Sequence, residues 1–440
     1  MFIDPSADAR VIERCCAMQP PAAFFGSAPA QLLRVRFPAL RVISRRFSGG
    51  APLFGSVSLR SAERLAPYRN TAAVQPDAPA LLTFTSGSTG MPKAAVRSHA
   101  LLRSQLQRLR ETLSFTPGDV DLTTLPIVLL ANLACGVTSV ISSVDLRRPG
   151  DVNGARVFAD AQHRRVTSAT ASPAFFERLA DFCEQSNARL PLVQKVFCGG
   201  APVFPRTMER IARVFPNARV SAVYGSTEAE PIADFALDEL SAADREQMAS
   251  GAGLIGGRPV YGIRVAVIRE QWGTPLGPLT TPEFARLAQP RGKQGEILVA
   301  GDHVIRGYLH GRGDEETKVN VDGTVWHRTG DSGYLDELGR IWLLGRCDAK
   351  IDDAKGTLYP FAVECAASEC AAVHRSALIR GAARRVLVVE PPLNSDQLAE
   401  LQATIGWAGL DEVRFVKHIP VDRKHNAKVD YPALRRRLKT

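Results

Sequence analysis

The sequence predicts an α/β protein: a large domain with a parallel βαβ sheet and a small β-rich subdomain, followed by a small mobile α+β cap. Between residues 78 and 230, short β-rich runs alternate with amphipathic helical patterns, which is typical of right-handed βαβ units. From residue 251 the chain becomes rich in glycine and in short strands. Its 440 residues are 45% hydrophobic and 23% charged, which is enough for two or three domains with buried cores.

The elements predicted for the α/β region follow one another regularly. Residues 80–84 predict a buried strand, which a Gly/Ser loop follows. Ser98 can cap a helix that carries four leucines on one face: Leu102, Leu106, Leu109 and Leu113. Residues 166–170 are again strand-like, and Pro173 opens a helix with four apolar side chains inward: Phe175, Phe176, Leu179 and Phe182. Two further strands run into glycine-containing turns: 193–197 and 220–223.

The C-terminal half predicts a different architecture. Three short strands indicate the β-rich subdomain: 295–300, 326–328 and 341–344. After Gly345-Arg346 the remaining residues mix strands and helices, and we place a hinge near 346–352. The predicted domains are therefore 1–345 and 346–440. Since ligands gather at the carboxyl ends of strands in open α/β sheets, the polar clusters that follow strands are the candidate site.

The net charge excludes few classes of ligand, whereas the cysteine pattern indicates the cellular compartment. The net charge of +10 favours anionic ligands such as nucleotides, although nucleic acid or an anionic membrane surface would fit it equally. The eight cysteines form no CxxC pair and no Cys/His cluster with zinc spacing. The N-terminus carries Asp4, Asp8 and Glu13 where a signal peptide needs an apolar core, and no apolar run reaches eighteen residues. We therefore expect a reduced, cytoplasmic protein without a transmembrane segment.

The strongest local motif is Thr85-Ser86-Gly87-Ser88-Thr89-Gly90-Met91-Pro92-Lys93. Two glycines free the backbone to approach an anion, the hydroxyls can donate to phosphate oxygens, and Lys93 supplies a positive charge. It is not a Walker A loop, because Pro92 separates Gly90 from Lys93. A surface turn is the alternative, against which its predicted position between a strand and a capped helix argues.

This motif resembles the phosphate loop of the adenylate-forming superfamily, the AMP-dependent synthetases and ligases that include acyl-CoA synthetases, peptide-synthetase adenylation domains and luciferases. The resemblance continues in order along the chain. Gly199-Gly200-Ala201-Pro202 is similar to the adenine-contacting turn of the family, and Tyr224-Gly225-Ser226-Thr227-Glu228 is similar to its aromatic-Gly-x-Thr-Glu motif. The resemblance implies that Tyr224 stacks on adenine, that Thr227 contacts phosphate and that Glu228 holds Mg²⁺.

Three further motifs complete the resemblance. Thr329-Gly330-Asp331 is similar to the ribose-binding motif of the family, since the Asp331 carboxylate can accept hydrogen bonds from both ribose hydroxyls. Gly345-Arg346 matches the Gly-Arg pair before the hinge, and Lys428 stands where the family has its catalytic lysine. Singly, each of these residues has an ordinary structural explanation. Six motifs in the right order imply a ligase that uses ATP and Mg²⁺ to convert a carboxylic acid into an acyl adenylate.

The chemistry of this reaction agrees with these residue types. Attack of a carboxylate on the α-phosphorus brings anions together, so charge repulsion dominates the barrier. Mg²⁺ on Glu228, together with Lys93, would offset the pyrophosphate charge, and Lys428 would bridge the carboxylate and the α-phosphate. Because the nucleophile is already ionised, no general base is needed. We expect a small-molecule acid as the partner and no nucleic acid; the oligomeric state is open.

Finer features resemble the olefin β-lactone synthetases, in which the hydroxyl of an adenylated β-hydroxy acid displaces AMP and closes a lactone. These features are Leu125-Pro126, Gly136–Ile141, Trp326-His327-Arg328, Gly333–Asp336, Thr357–Tyr359 and Arg423–Lys428. A fatty-acid–CoA ligase is the alternative, but no residue marks a CoA site. Residues 127–133 can line an acyl tunnel or simply pack in the core.

Two departures from the family pattern leave another alternative. Only about 80 residues precede the phosphate loop, so we expect the early part of the large domain to be absent. Ala349 stands where the family often has an acidic hinge residue, which bears on cap rotation and hence on the second half-reaction. The chain could therefore be a catalytically impaired nucleotide-binding or interaction protein. Retention of Lys93, Glu228, Asp331 and Lys428 favours an enzyme.

Overall fold

The structure is a computed structural model that forms two compact units. It describes all residues except 2–8, 87–91, 147, 382–383, 423–426 and 439–440, and it leaves out the side chains of Ala9, Ala62, Thr85, Ser86 and Pro92. One unit combines Met1–Arg103 with Gly307–Asp314, and the other combines Ser104–Arg306 with Glu315–Thr440.

The first unit contains short helices, a small parallel sheet and a hairpin. Its elements are α1 Ala9–Met18, β1 Ala23–Gly26, α2 Leu33–Arg36, α3 Pro38–Arg41, β2 Arg45–Ser48, β3 Val57–Ser58, α4 Leu59–Ala62, β4 Pro79–Ser86 and β5 Pro92–Ser98. Strands β4 and β5 pair antiparallel, with Thr85 opposite Lys93. The predicted strand at 80–84 is thus confirmed, but its expected place in the parallel sheet is wrong. The segment after the phosphate loop is itself a strand, because the apolar Ala94–Val96 run pairs back onto β4.

The second unit begins with the predicted parallel sheet. Its elements are most of α5 His99–Thr112, then β6 Val120–Thr123, α6 Pro126–Cys135, β7 Thr138–Val140, α7 Gly154–His163, β8 Ser168–Ala171, α8 Pro173–Ser186, β9 Lys195–Gly199, α9 Pro205–Val214 and β10 Arg219–Ser226. The strands lie in the order β7-β6-β8-β9-β10, and all neighbours are parallel. The backbone N–H of Leu101 donates to Ser98 Oγ at 3.2 Å, as the predicted helix cap requires.

The β-rich region continues this sheet. Its elements are β11 Ala229–Ala236, α10 Ala242–Ala249, β12 Leu254–Pro259, β13 Arg264–Ile268, α11 Thr281–Leu287, β14 Gly295–Ala300, α12 Asp314–Thr317, β15 Lys318–Val321, β16 Thr324–Leu335 and β17 Ile341–Arg346. From β10 the order is β11-β12-β17-β16-β14-β13, with β15 on β16, and all pairs are antiparallel. The β-rich character is confirmed, but these strands belong to one twelve-stranded sheet.

The C-terminal residues form the predicted α+β segment. Its elements are β18 Ile351–Asp353, β19 Gly356–Leu358, α13 Pro360–Ser368, β20 Arg375–Gly381, β21 Arg384–Glu390, α14 Ser395–Ile405, β22 Glu412–Phe415 and α15 Tyr431–Leu438. We call residues 346–440 the cap. The Arg206 guanidinium donates to the carbonyls of Cys370 and Ala371, and Trp407 Nε1 donates to the carbonyl of Ala249.

Helix faces agree with the predicted patterns. In α8, Phe175, Phe176 and Leu179 are buried, and Phe182 is half-buried. In α6 the inward side chains are Val128 and Ala131, whereas Leu133 is 78% exposed. Part of the apolar 127–133 run is therefore core packing. Among the helices that the structure describes, none combines the length and apolar character needed to cross a bilayer.

Candidate functional site

Two glycine-containing turns meet at the carboxyl ends of adjacent strands. Gly199 ends β9, beside Val223 of β10. A Cβ on Gly199 would lie 2.9 Å from the Val223 carbonyl oxygen, so only glycine allows this approach. Gly200 follows with φ of +85°, and the turn leads into Ala201 and Pro202, which are half-buried. The predicted adenine turn thus lies next to the strand that carries the aromatic motif.

The tyrosine of that motif contacts the predicted ribose residue. Tyr224 OH donates to Asp331 Oδ2 at 2.6 Å, although the two residues lie 107 positions apart. Burial, together with the negative charge of Asp331, raises the pKa of Tyr224 well above its ordinary value. The hydroxyl therefore stays protonated and remains a hydrogen-bond donor to the carboxylate.

Arg346 holds the other oxygen of the same carboxylate. Strands β16 and β17 place Asp331 directly opposite Arg346. The Arg346 guanidinium donates to Asp331 Oδ1 at 2.9 Å and to the Thr329 carbonyl at 2.8 Å, while the Asp331 N–H donates to Thr329 Oγ1 at 3.0 Å. The structure thus brings together Tyr224, Asp331 and Arg346. Among the described residues each Asp331 oxygen accepts one of these side-chain hydrogen bonds, and a carboxylate oxygen has room for a further donor.

Thr227 and Glu228 lie in the turn between β10 and β11. The N–H of Glu228 donates to Ser226 Oγ at 3.2 Å, and the Glu228 carbonyl accepts from Ile305 N at 2.8 Å. Both side chains are half-buried. The described residues contain no group of three or more His, Cys, Asp or Glu side chains that could hold a metal ion. A single carboxylate nevertheless suits Mg²⁺, which usually combines one or two carboxylates with phosphate and water oxygens.

Two buried side chains, His327 and Lys318, lie close together, and His327 is within range of the charge of Glu228. Burial and the charge of Lys318 lower the pKa of His327 to about 3, against an opposing effect of Glu228. Lys318 Nζ lies 3.2 Å from His327 Nδ1 and donates to the Ile305 carbonyl at 2.5 Å. His327 is therefore neutral near neutral pH.

Lys93 is closely surrounded by other residues of the first unit. Its side chain is buried, with Nζ 5.8 Å from the centroid of the Tyr308 ring. Gly313 has φ of +100°, and a Cβ there would lie 2.6 Å from Lys93 Cδ. Gly87, Ser88, Thr89 and Gly90 lie outside the described residues, as do the side chains of Thr85 and Ser86. Sequence reasoning missed Tyr308 and Gly313, although the glycine-rich run 307–313 was a visible signal.

Lys428 lies in the cap on an exposed turn. Its N–H donates to Asp422 Oδ1 at 3.0 Å, and its carbonyl accepts from Asp422 N at 2.8 Å. Helix α15 begins three residues later and is attached through Tyr431 OH, which donates to Glu364 Oε1 at 2.7 Å. These contacts of the Lys428 segment are internal to the cap.

The hinge segment makes a charged contact that the sequence did not reveal. Lys350 Nζ lies 2.7 Å from Glu270 Oε1, while Ser332 Oγ and Tyr359 OH donate to Glu270 Oε2 at 2.8 and 3.4 Å. Ala349, where the family often has an acidic residue, is buried. The described ion pair at the hinge therefore involves Lys350 rather than position 349.

Comparison with known proteins agrees with this geometry. The family model of AMP-binding enzymes matches residues 22–309. Olefin beta-lactone synthetases from Xanthomonas campestris pv. campestris and Stenotrophomonas maltophilia are each 32% identical, over 98% of this chain and 80% of each relative. The amide bond synthetase McbA from Marinactinospora thermotolerans shares the fold, with a TM-score of 0.78, 22% identity, and coverage of 99% of this chain and 84% of that one.

These findings confirm the predicted superfamily, the α/β fold and the enzyme class. They support AMP-forming activation of a carboxylic acid over the reading as a protein that does not catalyse. The chain belongs to the family of AMP-binding enzymes, acid-activating ligases that generally use ATP and Mg²⁺.

Proposed function

We propose that this protein adenylates a β-hydroxy fatty acid and then closes it to a β-lactone. The observation that carries the proposal is the similarity, along nearly the whole chain, to two olefin beta-lactone synthetases. The grouping of Tyr224, Asp331 and Arg346 supports the nucleotide-binding part. The alternative, a fatty-acid–CoA ligase, shares the first half-reaction and differs only in the nucleophile of the second.

The nucleotide would be held at the carboxyl ends of β9 and β10, beside Asp331 within β16. Asp331 would accept from the ribose hydroxyls through its remaining lone pairs, and Arg346 and Tyr224 fix its orientation. Gly199–Pro202 would contact adenine, against which the Tyr224 ring would stack.

Glu228 and Thr227 would face the phosphates. Glu228 would hold Mg²⁺ as its carboxylate ligand, with phosphate and water oxygens completing the shell. When bound, Mg²⁺ supplies Lewis-acid stabilisation of negative charge on the phosphate oxygens. Thr227 and the phosphate loop Thr85–Gly90 would donate to those oxygens, and Lys93 would add a fixed positive charge.

In adenylation, a carboxylate oxygen of the acid attacks the α-phosphorus. The bond from that phosphorus to the bridging oxygen breaks, and pyrophosphate leaves with the electron pair. Lys428 would lie between the carboxylate and the α-phosphate, where its charge offsets the repulsion between two anions. In closure, the β-hydroxyl oxygen attacks the acyl carbonyl carbon, its proton goes to water, and AMP leaves. This step is intramolecular, which gives the hydroxyl a large effective concentration.

We also propose that residues 1–345 and 346–440 act as the adenylation domain and the cap. Apolar clusters made only of cap residues, such as the one around Val363, Leu387 and Leu401, support a separately packed cap. The contact of Lys350 with Glu270 lies where the segments join, so it is positioned to bias the cap between half-reactions.

The test is product analysis with paired acids. The full-length protein is incubated with ATP, Mg²⁺ and either a β-hydroxy fatty acid or the matching plain acid, with and without CoA. We expect pyrophosphate release with both acids, and lactone plus AMP only from the hydroxy acid, without added thiol. A CoA-dependent thioester from both acids and no lactone would establish the ligase alternative. Absence of pyrophosphate exchange with a broad acid panel would contradict acid activation itself.

A further inference from the structure

A tryptophan outside the known motifs lies close to two arginines near Asp331. Trp272 belongs to the loop of residues 269–280 between β13 and α11, which we call the Trp272 loop. The guanidinium carbon of Arg346 lies 5.8 Å from a ring centroid of Trp272, and that of Arg328 lies 5.4 Å from it. Both distances are within the range of cation–π attraction.

A buried ion pair ties the Trp272 loop on both sides of the tryptophan. Arg328 and Glu296 are fully buried and form two parallel hydrogen bonds of 2.6 and 2.8 Å. The Gln271 N–H donates to Glu296 Oε2 at 3.4 Å, and Arg328 donates to the Thr274 carbonyl at 2.7 Å. The indole is therefore held by its backbone neighbours and does not depend on Arg346 for its place.

Gly330 provides the space in which the two side chains meet. Its φ is +71°, and a Cβ there would lie 2.4 Å from an Arg346 guanidinium nitrogen and 2.9 Å from Trp272 Cη2. Only glycine leaves this room. The same guanidinium donates to Asp331, so the indole, the arginine and the carboxylate form one connected row.

We propose that Trp272 is a positioning residue for ATP, holding Arg346 against Asp331 and thereby setting recognition of the ribose hydroxyls. This inference rests on the proposed nucleotide site and extends it to a residue that contacts no reacting atom. The Arg346 side chain is 46% exposed, so loss of the indole would leave it on hydrogen bonds to Asp331 and the Thr329 carbonyl for which water competes. Asp331 would then be held less firmly by Arg346, one of the two described side chains, with Tyr224, that orient it toward the ribose.

The test measures ribose discrimination, defined as the ratio of KM for 3′-deoxy-ATP to KM for ATP in pyrophosphate exchange. The Trp272→Leu variant removes the aromatic face but keeps an apolar side chain. Because a partly exposed cation–π contact is weak, we expect KM for ATP to rise roughly two- to fivefold, with a smaller change in kcat. KM for 3′-deoxy-ATP should rise less, so discrimination falls. The Trp272→Phe variant, which keeps a ring, should recover most of it.

Two controls separate positioning from a general structural effect. Tyr261 is an exposed aromatic residue stacked on a different arginine, Arg108, at 5.0 Å, so Tyr261→Leu should leave discrimination unchanged. In an Arg346→Met background, Trp272→Leu should have no further effect on the ratio, because the group through which it acts is gone. This second comparison keeps the inference testable even if Trp272→Leu lowers stability.

The outcomes also distinguish the inference from the function on which it rests. If the wild-type protein discriminates and Trp272→Leu weakens both nucleotides equally, Trp272 is only structural and the inference is overturned alone. The same holds if Trp272→Leu still lowers discrimination in the Arg346→Met background. If the wild-type protein shows no preference for ATP over 3′-deoxy-ATP, the assignment of Asp331 to ribose falls as well.

Discussion

Two buried glutamates, one in the large sheet and one in the cap, are held in opposite ways. Glu296 of β14 is fully buried against Arg328, with two charge-assisted hydrogen bonds. Glu364 of α13 is also buried, but the donors that its Oε1 has among the described residues are neutral: the N–H of Leu378 and the hydroxyl of Tyr431. Burial raises the pKa of Glu364 to about 7. One carboxylate is therefore paired with a permanent charge, and the other can hold a proton near neutral pH.

On the proposed function, Glu296 lies near the nucleotide site, whereas Glu364 lies near the segment of the cap that carries Lys428. Arg328 lies on β16, the strand that carries Asp331, and Glu296 lies on the neighbouring strand β14, so the proposed ribose residues lie beside a fully buried ion pair. Glu364 attaches α15, which follows Lys428, through a group that changes charge in the physiological range. We infer that the proposed nucleotide site is held rigidly, and that the position of the Lys428 segment changes more easily with conditions.

The largest expected effect is a difference in stability between two single variants, in which Glu296 or Glu364 is replaced by Gln. Glu296→Gln leaves the Arg328 charge buried without a counter-charge, which should cost about 3–5 kcal/mol of unfolding free energy. Glu364→Gln at pH 6 replaces a largely protonated acid by an isostere that keeps the acceptor oxygen, so the loss should be below about 1 kcal/mol. Urea unfolding of both variants at pH 6 provides the measurement. Equal losses would remove the distinction between the two sites.

The second effect concerns rate rather than stability. On the proposed mechanism, Lys428→Ala should lower the rate of pyrophosphate exchange by about 10²–10³-fold, because the ammonium offsets charge that develops in the transition state. The affinity for ATP should change little, since the ribose residues lie in the sheet. Lys417, another exposed lysine of the cap, is the control, and Lys417→Ala should exchange normally. A Lys428→Ala protein with the wild-type rate would exclude Lys428 from the mechanism.

The third effect is a pH dependence. The pKa of Glu364 is raised in the folded protein from an ordinary 4.5 to about 7, so the folded state favours its protonated form. The contribution of protonated Glu364 to the unfolding free energy is fully present below pH 4.5 and is lost as the pH rises through 7. The total loss is about 3 kcal/mol. Unfolding free energies of the wild type and Glu364→Gln, compared between pH 5 and 8, isolate this contribution. The wild type should lose more stability with rising pH, and parallel curves would contradict the assignment.

The smallest effect concerns the contact between Glu270 of the large sheet region and Lys350 of the cap. Glu270→Gln removes the charge that faces Lys350, a partly exposed pair that contributes at most about 1 kcal/mol. On the proposed function, the ratio of lactone formation to adenylate formation should shift by up to about fivefold, while KM for ATP stays the same. Asp352→Asn is the matched control, because Asp352 contacts Lys350 at 3.4 Å but is 55% exposed. An equal shift in both variants would argue against a specific role for Glu270.

The sequence by itself determined most of the elements of the parallel sheet and the superfamily. The parallel strands and their helices follow from local apolar patterns, which is why β8, β9 and β10 appear close to where they were predicted. The six motifs carry their chemistry within a few neighbouring residues, so the superfamily could be identified before any contact was known. Comparison with known proteins then confirmed that identification.

Only the tertiary structure decided which distant residues act together. Tyr224, Asp331 and Arg346 meet because sheet order, which local patterns do not encode, places their strands near one another. The hairpin of β4 and β5, the single twelve-stranded sheet and the place of Trp272 arise in the same way. A lone tryptophan in a polar loop has no periodic signal. Its function depends on a ring, two guanidinium groups and a glycine that come together only when the chain folds.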